Sequence, residues 1–148
     1  MPITLPRNSA RTTDPLLGGD PYDIQVRELM TPGVVTIAED ASLARVYGAI
    51  AAHGVHAVLV LGIQTGRPLG WVTARGLLAW MDSDHALVSA RDAITEPIRT
   101  IEPAATARDA IRELSQPGTT HLLVARSEHA LPEGVVSSLN LMSLVRSS

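Results

Sequence analysis

Cysteine is absent from all 148 residues, which excludes disulfides, thiolate metal sites and cysteine nucleophiles together. Lysine is absent as well. All 12 basic residues are arginine, the usage of a GC-rich bacterial genome, and without lysine no G-x-x-x-x-G-K-[ST] phosphate loop exists. Phenylalanine is missing and aromatics make up 3% of the chain, so packing falls to Leu, Val, Ile and Ala. Few rings, a net charge of −3 and no basic run disfavour a nucleic-acid partner. No apolar run approaches the roughly 18 residues of a membrane helix. The segment Met1-Pro2-Ile3-Thr4-Leu5-Pro6 lacks the basic start and apolar centre of a signal peptide. The expectation is a soluble, cytoplasmic protein with no membrane partner.

Catalytic patterns are equally scarce. The histidines His53, His56, His85, His121 and His129 show no H-x-x-x-H or H-E-x-x-H spacing for a metal on a helix. Ser137-Ser138 lacks the G-x-S-x-G elbow, and Glu39-Asp40 reads as an exposed turn before a helix. No enzyme, no metal site and no obligatory cofactor are expected.

What the chain does contain is a duplication. Val26 to Met81 falls on Ala90 to Val145 without a gap, at a constant offset of 64 residues (Gly134 minus Gly70). Thr31 meets Thr95, Thr36-Ile37 meets Thr100-Ile101, and Gly54 meets Gly118. Pro68 meets Pro132, Gly70 meets Gly134, and Leu77 meets Leu141. A repeat unit normally cannot bury its apolar face alone, so the two copies are expected to share one fold. With 45% hydrophobic residues, a chain of this length makes one compact domain or two small, closely packed ones.

Residues 1–22, with Pro2, Pro6, Pro15, Pro21 and Gly18-Gly19, read as a disordered or extended arm. The first repeat is placed at residues 23–82, and the linker with the second repeat at 83–148. Val26 to Met30 makes a short helical turn stopped by Thr31-Pro32-Gly33, and Val34 to Ile37 a brief strand. Ser42 is the expected N-cap of a helix whose stripe is Leu43, Val46, Tyr47 and Ile50, closed by Gly54. In the second copy Thr106 caps, Asp109 completes a capping box, and Ala107, Ala110, Ile111 and Leu114 form the stripe. Ala57–Leu61 with Leu69–Val72, and His121–Ala125 with Gly134–Val136, read as antiparallel hairpins. Helices over Ala74 to Met81 and Ser138 to Val145 close the repeats. The fold class is α+β: two β-α-β-β-α repeats packed sheet to sheet with pseudo-twofold symmetry. Leu77, Leu78, Trp80 and Met81, with Leu141, Met142, Leu144 and Val145, are too apolar for water-facing helices, and a homodimer through them is expected.

These residues resemble a known family. Leu29-Met30-Thr31-Pro32 followed by Val34-Val35-Thr36-Ile37, then His53-Gly54-Val55-His56-Ala57-Val58-Leu59-Val60, then Gly70-Trp71-Val72-Thr73 before a helix, look like a CBS (cystathionine-β-synthase) domain. The tandem arrangement resembles a Bateman module. The resemblance implies two clefts between the repeats that take adenosine-type ligands: AMP, ADP, ATP or S-adenosylmethionine. It implies a Gly-hydrophobic-hydrophobic-Thr/Ser-x-x-Asp signature, its hydroxyl near phosphate and its carboxylate on the ribose diol. Here Thr73 and Ser137 keep the hydroxyl, but Gly76 and Asn140 stand where the Asp belongs.

The resemblance further places Thr36 and Thr100 in the pocket, and His56-Ala57 and Thr120-His121 at the start of the second strand. Arg75 joins them at the beginning of a closing helix, where free N–H groups favour phosphate. The candidate ligand residues are therefore Thr36, His56, Ala57, Thr73, Arg75, Thr100, Thr120, His121, Ser137 and Asn140. Each has a plainer reading beside it: Thr73 and Ser137 as N-caps, Asn140 as a helix cap or surface residue, Arg75 as solvated. Two functions follow, a stand-alone regulatory nucleotide-binding module or a ligand-free dimerisation scaffold with degenerate clefts and an unknown protein partner.

Overall fold

A computed structural model describes residues 20–146; most of the N-terminal arm lies outside them. In chain order the elements are α1 (Val26–Leu29), β1 (Thr31–Pro32), β2 (Thr36–Ala38), α2 (Leu43–His53), β3 (Ala57–Leu61) and β4 (Pro68–Thr73). There follow β5 (Thr100–Ile101), α3 (Ala107–Leu114), β6 (His121–Val124), β7 (Gly134–Ser137) and α4 (Ser138–Arg146). Short 3-10 helices occupy Pro21–Asp23, Gly76–Trp80 and Arg91–Ala93. The α+β class and both antiparallel hairpins are as expected.

The compact units are not the contiguous repeats. Among the described residues, one is residues 34–98; the other joins residues 20–33 with residues 99–146. In the 34–98 unit the sheet runs β2-β3-β4, with β2 parallel and β4 antiparallel to β3. Leu43, Val46, Val58, Val60, Val72 and Leu77 form its core, with Ala90 and Ala93 from the segment leading into the second repeat. In the other unit the sheet runs β1-β7-β6-β5. Ile101, Ala107, Ala110, Leu122, Val124, Val136 and Leu141 pack there with Val26 of α1.

Each repeat's leading segment thus packs on the sheet of the other repeat, and it does so the same way twice. Val26 N donates to Ala105 O, Arg27 N to Pro103 O, and Ala107 N to Ile24 O. Sixty-four residues away in each case, Ala90 N donates to Ala41 O, Arg91 N to Glu39 O, and Leu43 N to Val88 O. The leader then runs along the last strand: Thr31 pairs with Val135, and Glu96 with Trp71. Close approach is what the signature glycine permits. A Cβ on Gly134 would stand 2.5 Å from Thr31 O, and one on Gly70 would stand 2.5 Å from Ile94 Cγ2.

Local expectations mostly hold. Ser42 Oγ accepts from Arg45 N, Gly54 closes α2 at φ 62°, and Thr106 with Asp109 forms the reciprocal capping box. Three readings need correction. Thr31-Pro32 is not merely a stop: it is β1, in the extended backbone that a residue before proline favours. The first closing element is a 3-10 helix over Gly76–Trp80, shorter than the expected Ala74–Met81. Finally, residues 20–22 are structured. Asp20 caps the Pro21–Asp23 turn and pairs with Arg108 of α3, whose guanidinium lies 5.6 Å from the Tyr22 ring centre.

Candidate functional site

Strand register sorts the candidate residues. In the 34–98 unit Val58, Val60 and Val72 point to the helix-covered core, so their neighbours point the other way. Thr36 lies opposite Leu59 and Thr73 opposite Ala57, which gathers Thr36, Ala57 and Thr73 on the helix-free face. In the other unit Leu122, Val124 and Val136 are core. Thr100 lies opposite Leu123 and His121 opposite Ser137, again on the helix-free face. The sequence-derived strand residues therefore converge, within each unit, on one surface.

The two surfaces differ in how they end. In the second repeat Ser137 N donates to Asn140 Oδ1 at 2.8 Å, and Ser137 Oγ lies 3.3 Å from the same oxygen. Asn140 Nδ2 donates to Leu29 O at 2.9 Å and to Thr31 Oγ1 at 3.3 Å. The amide orientation is set by its partners, since an N–H needs the oxygen and a carbonyl needs the NH2. With its first turn so capped, α4 runs for nine residues. Thr120 is exposed, and its Oγ1 lies 2.8 Å from His121 Nδ1.

In the first repeat Gly76 supplies no side chain. Thr73 Oγ1 instead accepts from Gly76 N at 3.0 Å and meets Thr95 Oγ1 at 3.1 Å. Thr95 in turn donates to Trp71 O. Thr73 is buried, and its hydroxyl holds the turn that leads into the 3-10 helix, whose N-cap position is Arg75. His56 and Arg75 are exposed; the structure engages His56 through its carbonyl, which accepts from Ala74 N. Thr36 lines a shallow groove of about 290 Å³ with Ile37, Ala38, Asp40, Ala41, Arg45 and Leu61. Asp40 and Arg45 were not among the sequence candidates; their place at the turn and first turn of α2, just past Thr36, was the signal available.

Thr31 and Thr95 were also missed. Both touch the signature residues from a distance in sequence: Thr31 lies 109 residues from Asn140, and Thr95 lies 22 residues from Thr73. Only the exchange of leaders brings Thr31 to Asn140 and Thr95 to Thr73.

Among the closing residues assigned to a dimer, Leu77 and Leu141 are buried in the cores of their own units. Trp80 and Leu144 pack partly against those cores. Leu78, Met81, Met142 and Val145 remain exposed, joined by Leu139. No helix among the described residues is long and apolar enough to cross a membrane.

Fold and register together define a duplicated α+β module in which the candidate hydroxyls share one sheet face, within each unit, with buried apolar residues: Leu59 and Trp71 in one, Leu123 in the other. The chain belongs to the CBS-domain family: a sequence profile of the CBS domain matches residues 26–83 and again 90–147. No curated protein matches it at a significant level. Similar solved structures include the CBS domain of the bacterial CNNM/CorC family Mg2+ transporter, at 20% identity and TM-score 0.72, covering 86% of this chain and 78% of that one. The same transporter domain in complex with ATP gives 21% identity and TM-score 0.71, covering 86% and 91%. A CBS-domain-containing protein from Agrobacterium tumefaciens gives 22% and 0.72, covering 87% and 98%.

Proposed function

We propose that this chain is a regulatory CBS-pair protein that binds an adenosine-type nucleotide on the Ser137–Asn140 face. The observation that carries the reading is the grouping of His121, Ser137 and Asn140 about the end of β7 and the start of α4, with Thr100 on the same sheet face in β5. Hydroxyls and an amide carbonyl suit a ribose, and the free N–H groups of a helix start suit phosphate. The ATP complex of a transporter CBS domain with a similar fold supports the ligand class. Signalling would be a population shift: the ligand favours one conformation, and partner affinity follows by linkage. Regulation, not catalysis, is the role proposed, and the exposed residues Leu78, Met81, Met142 and Val145 are the proposed homodimer surface.

Thermal shift and calorimetry with AMP, ADP, ATP, NAD, S-adenosylmethionine and cyclic nucleotides test the proposal. At ligand concentrations 100 times Kd, stabilisation of about 2.7 kcal/mol is expected. A flat response to the whole panel rejects it.

One set of contacts favours the second reading, a ligand-free dimerisation scaffold. The Asn140 amide is already bonded to Ser137 and Leu29, and in the first repeat a threonine methyl stands against Gly76. That reading expects unchanged melting with every nucleotide.

A further inference from the structure

We infer that Asn140 is a latch through which the Ser137 face controls docking of the leader, residues 20–33. The inference rests on the ligand-binding reading of that face and adds its regulation. Asn140 Oδ1 holds the start of α4 by accepting from Ser137 N at 2.8 Å, while Nδ2 holds the end of α1 through Leu29 O at 2.9 Å. A second bond reaches Thr31 Oγ1 at 3.3 Å, in the strand that lines β7. One amide therefore bridges positions 111 residues apart. The Leu29 carbonyl belongs to a helix of four residues, too short to satisfy its last carbonyls internally.

Both ends of the amide are in use, so a ligand hydroxyl or phosphate that recruits Asn140 must draw it from Ser137 or from the leader. Drawing it from the leader leaves Leu29 O without that donor, and the leader loosens. The leader is also where a signal can leave the unit, because Gly33 continues directly into Val34 and β2 of the 34–98 unit. The first repeat lacks the device: Gly76 has no side-chain amide, and the signature hydroxyl of Thr73 meets the leader there at Thr95 Oγ1 instead. The coupling is therefore one-sided.

Hydrogen exchange of the full chain, read at the amides of Val26, Arg27, Met30 and Gly33, tests this. Val26, Arg27 and Gly33 donate to Ala105, Pro103 and Glu133, so their exchange reports leader docking, while Met30 donates to Val26 and reports the leader's own helical turn. Without nucleotide, Asn140→Ala and Asn140→Asp should speed leader exchange by about three- to tenfold, the yield of one lost hydrogen bond. The β3 amides of the 34–98 unit serve as the unchanged control. In the wild-type chain ATP should speed the same leader amides. Unchanged leader exchange in both variants overturns the latch. ATP that binds by calorimetry yet leaves the leader unchanged, or slows it, overturns the coupling while the binding reading stands. ATP and the rest of the panel failing to bind, with the variants still loosening the leader, removes the binding reading and the regulatory role with it, and Asn140 is then a structural tether.

Discussion

At Gly76 a Cβ would collide with Thr95 Cγ2 and stand 3.0 Å from both Thr73 Oγ1 and Thr95 Oγ1. The glycine is therefore fixed by the leader threonine that packs on it, and its φ is not in the left-handed region. From sequence, Gly76 reads as the loss of a carboxylate; in the fold it is the room that Thr95 occupies. Restoring an aspartate there would require Thr95 to move. Gly76→Ala should destabilise the protein by about 1–3 kcal/mol through overpacking, read as a lowered melting temperature. Thr95→Ser removes the methyl and keeps the hydroxyl, so it should be nearly neutral alone and recover most of the Gly76→Ala loss in the double variant. Additive losses in that cycle would show that Thr95 is not what excludes a side chain at Gly76.

The helices follow signals that are local and therefore readable. Ser42 and Gly54 bracket α2, and Thr106 with Asp109 opens α3, because caps are satisfied within three or four residues. The 3-10 helix at Gly76 and the strand β1 were not legible in the same way. Their form depends on contacts with Thr95 and with Gly134 and Val135, which lie far off in sequence. The capping box also has a pH signature. Hydrogen bonds from Thr106 N and Oγ1 hold the Asp109 carboxyl below its ordinary value of 3.8; burial opposes them, and the Arg112 guanidinium adds to the lowering. A lowered folded value means that the ionised form favours the folded state, so this stabilisation is present above pH 3.8 and is lost as pH falls through the lowered value. Asp109 is 43% exposed at its side chain, and solvent keeps the effect small. Asp109→Ala should cost about 0.5–1 kcal/mol at pH 7. That gap should narrow at pH values below 3.8; a gap independent of pH down to acid unfolding would assign the loss to helix propensity instead of the charged cap.

For the whole molecule, the 64-residue offset disclosed the duplication and with it the family, because glycines, prolines and hydroxyls recur in register. It could not disclose the exchange of leaders. The two leaders make equivalent backbone bonds, Val26 to Ala105 and Ala90 to Ala41, so a sequence alignment reads the same whichever sheet each one joins. Apolar excess on the closing helices was legible too, but not its division. Leu77 and Leu141 went to the cores, leaving Leu78 64% exposed and Met142 56% exposed. Burying such side chains is worth about 1.5–3 kcal/mol each, and a patch of this kind on each unit fits an interface better than open water. The chain should therefore sediment as a homodimer, twice its 15.7 kDa. Leu78→Asp combined with Met142→Asp should give a monomer whose circular dichroism matches the parent, since neither residue contributes to a core. A wild-type chain that sediments at 15.7 kDa across micromolar concentrations, or a double variant that stays dimeric, would place these exposed residues outside any self-association surface.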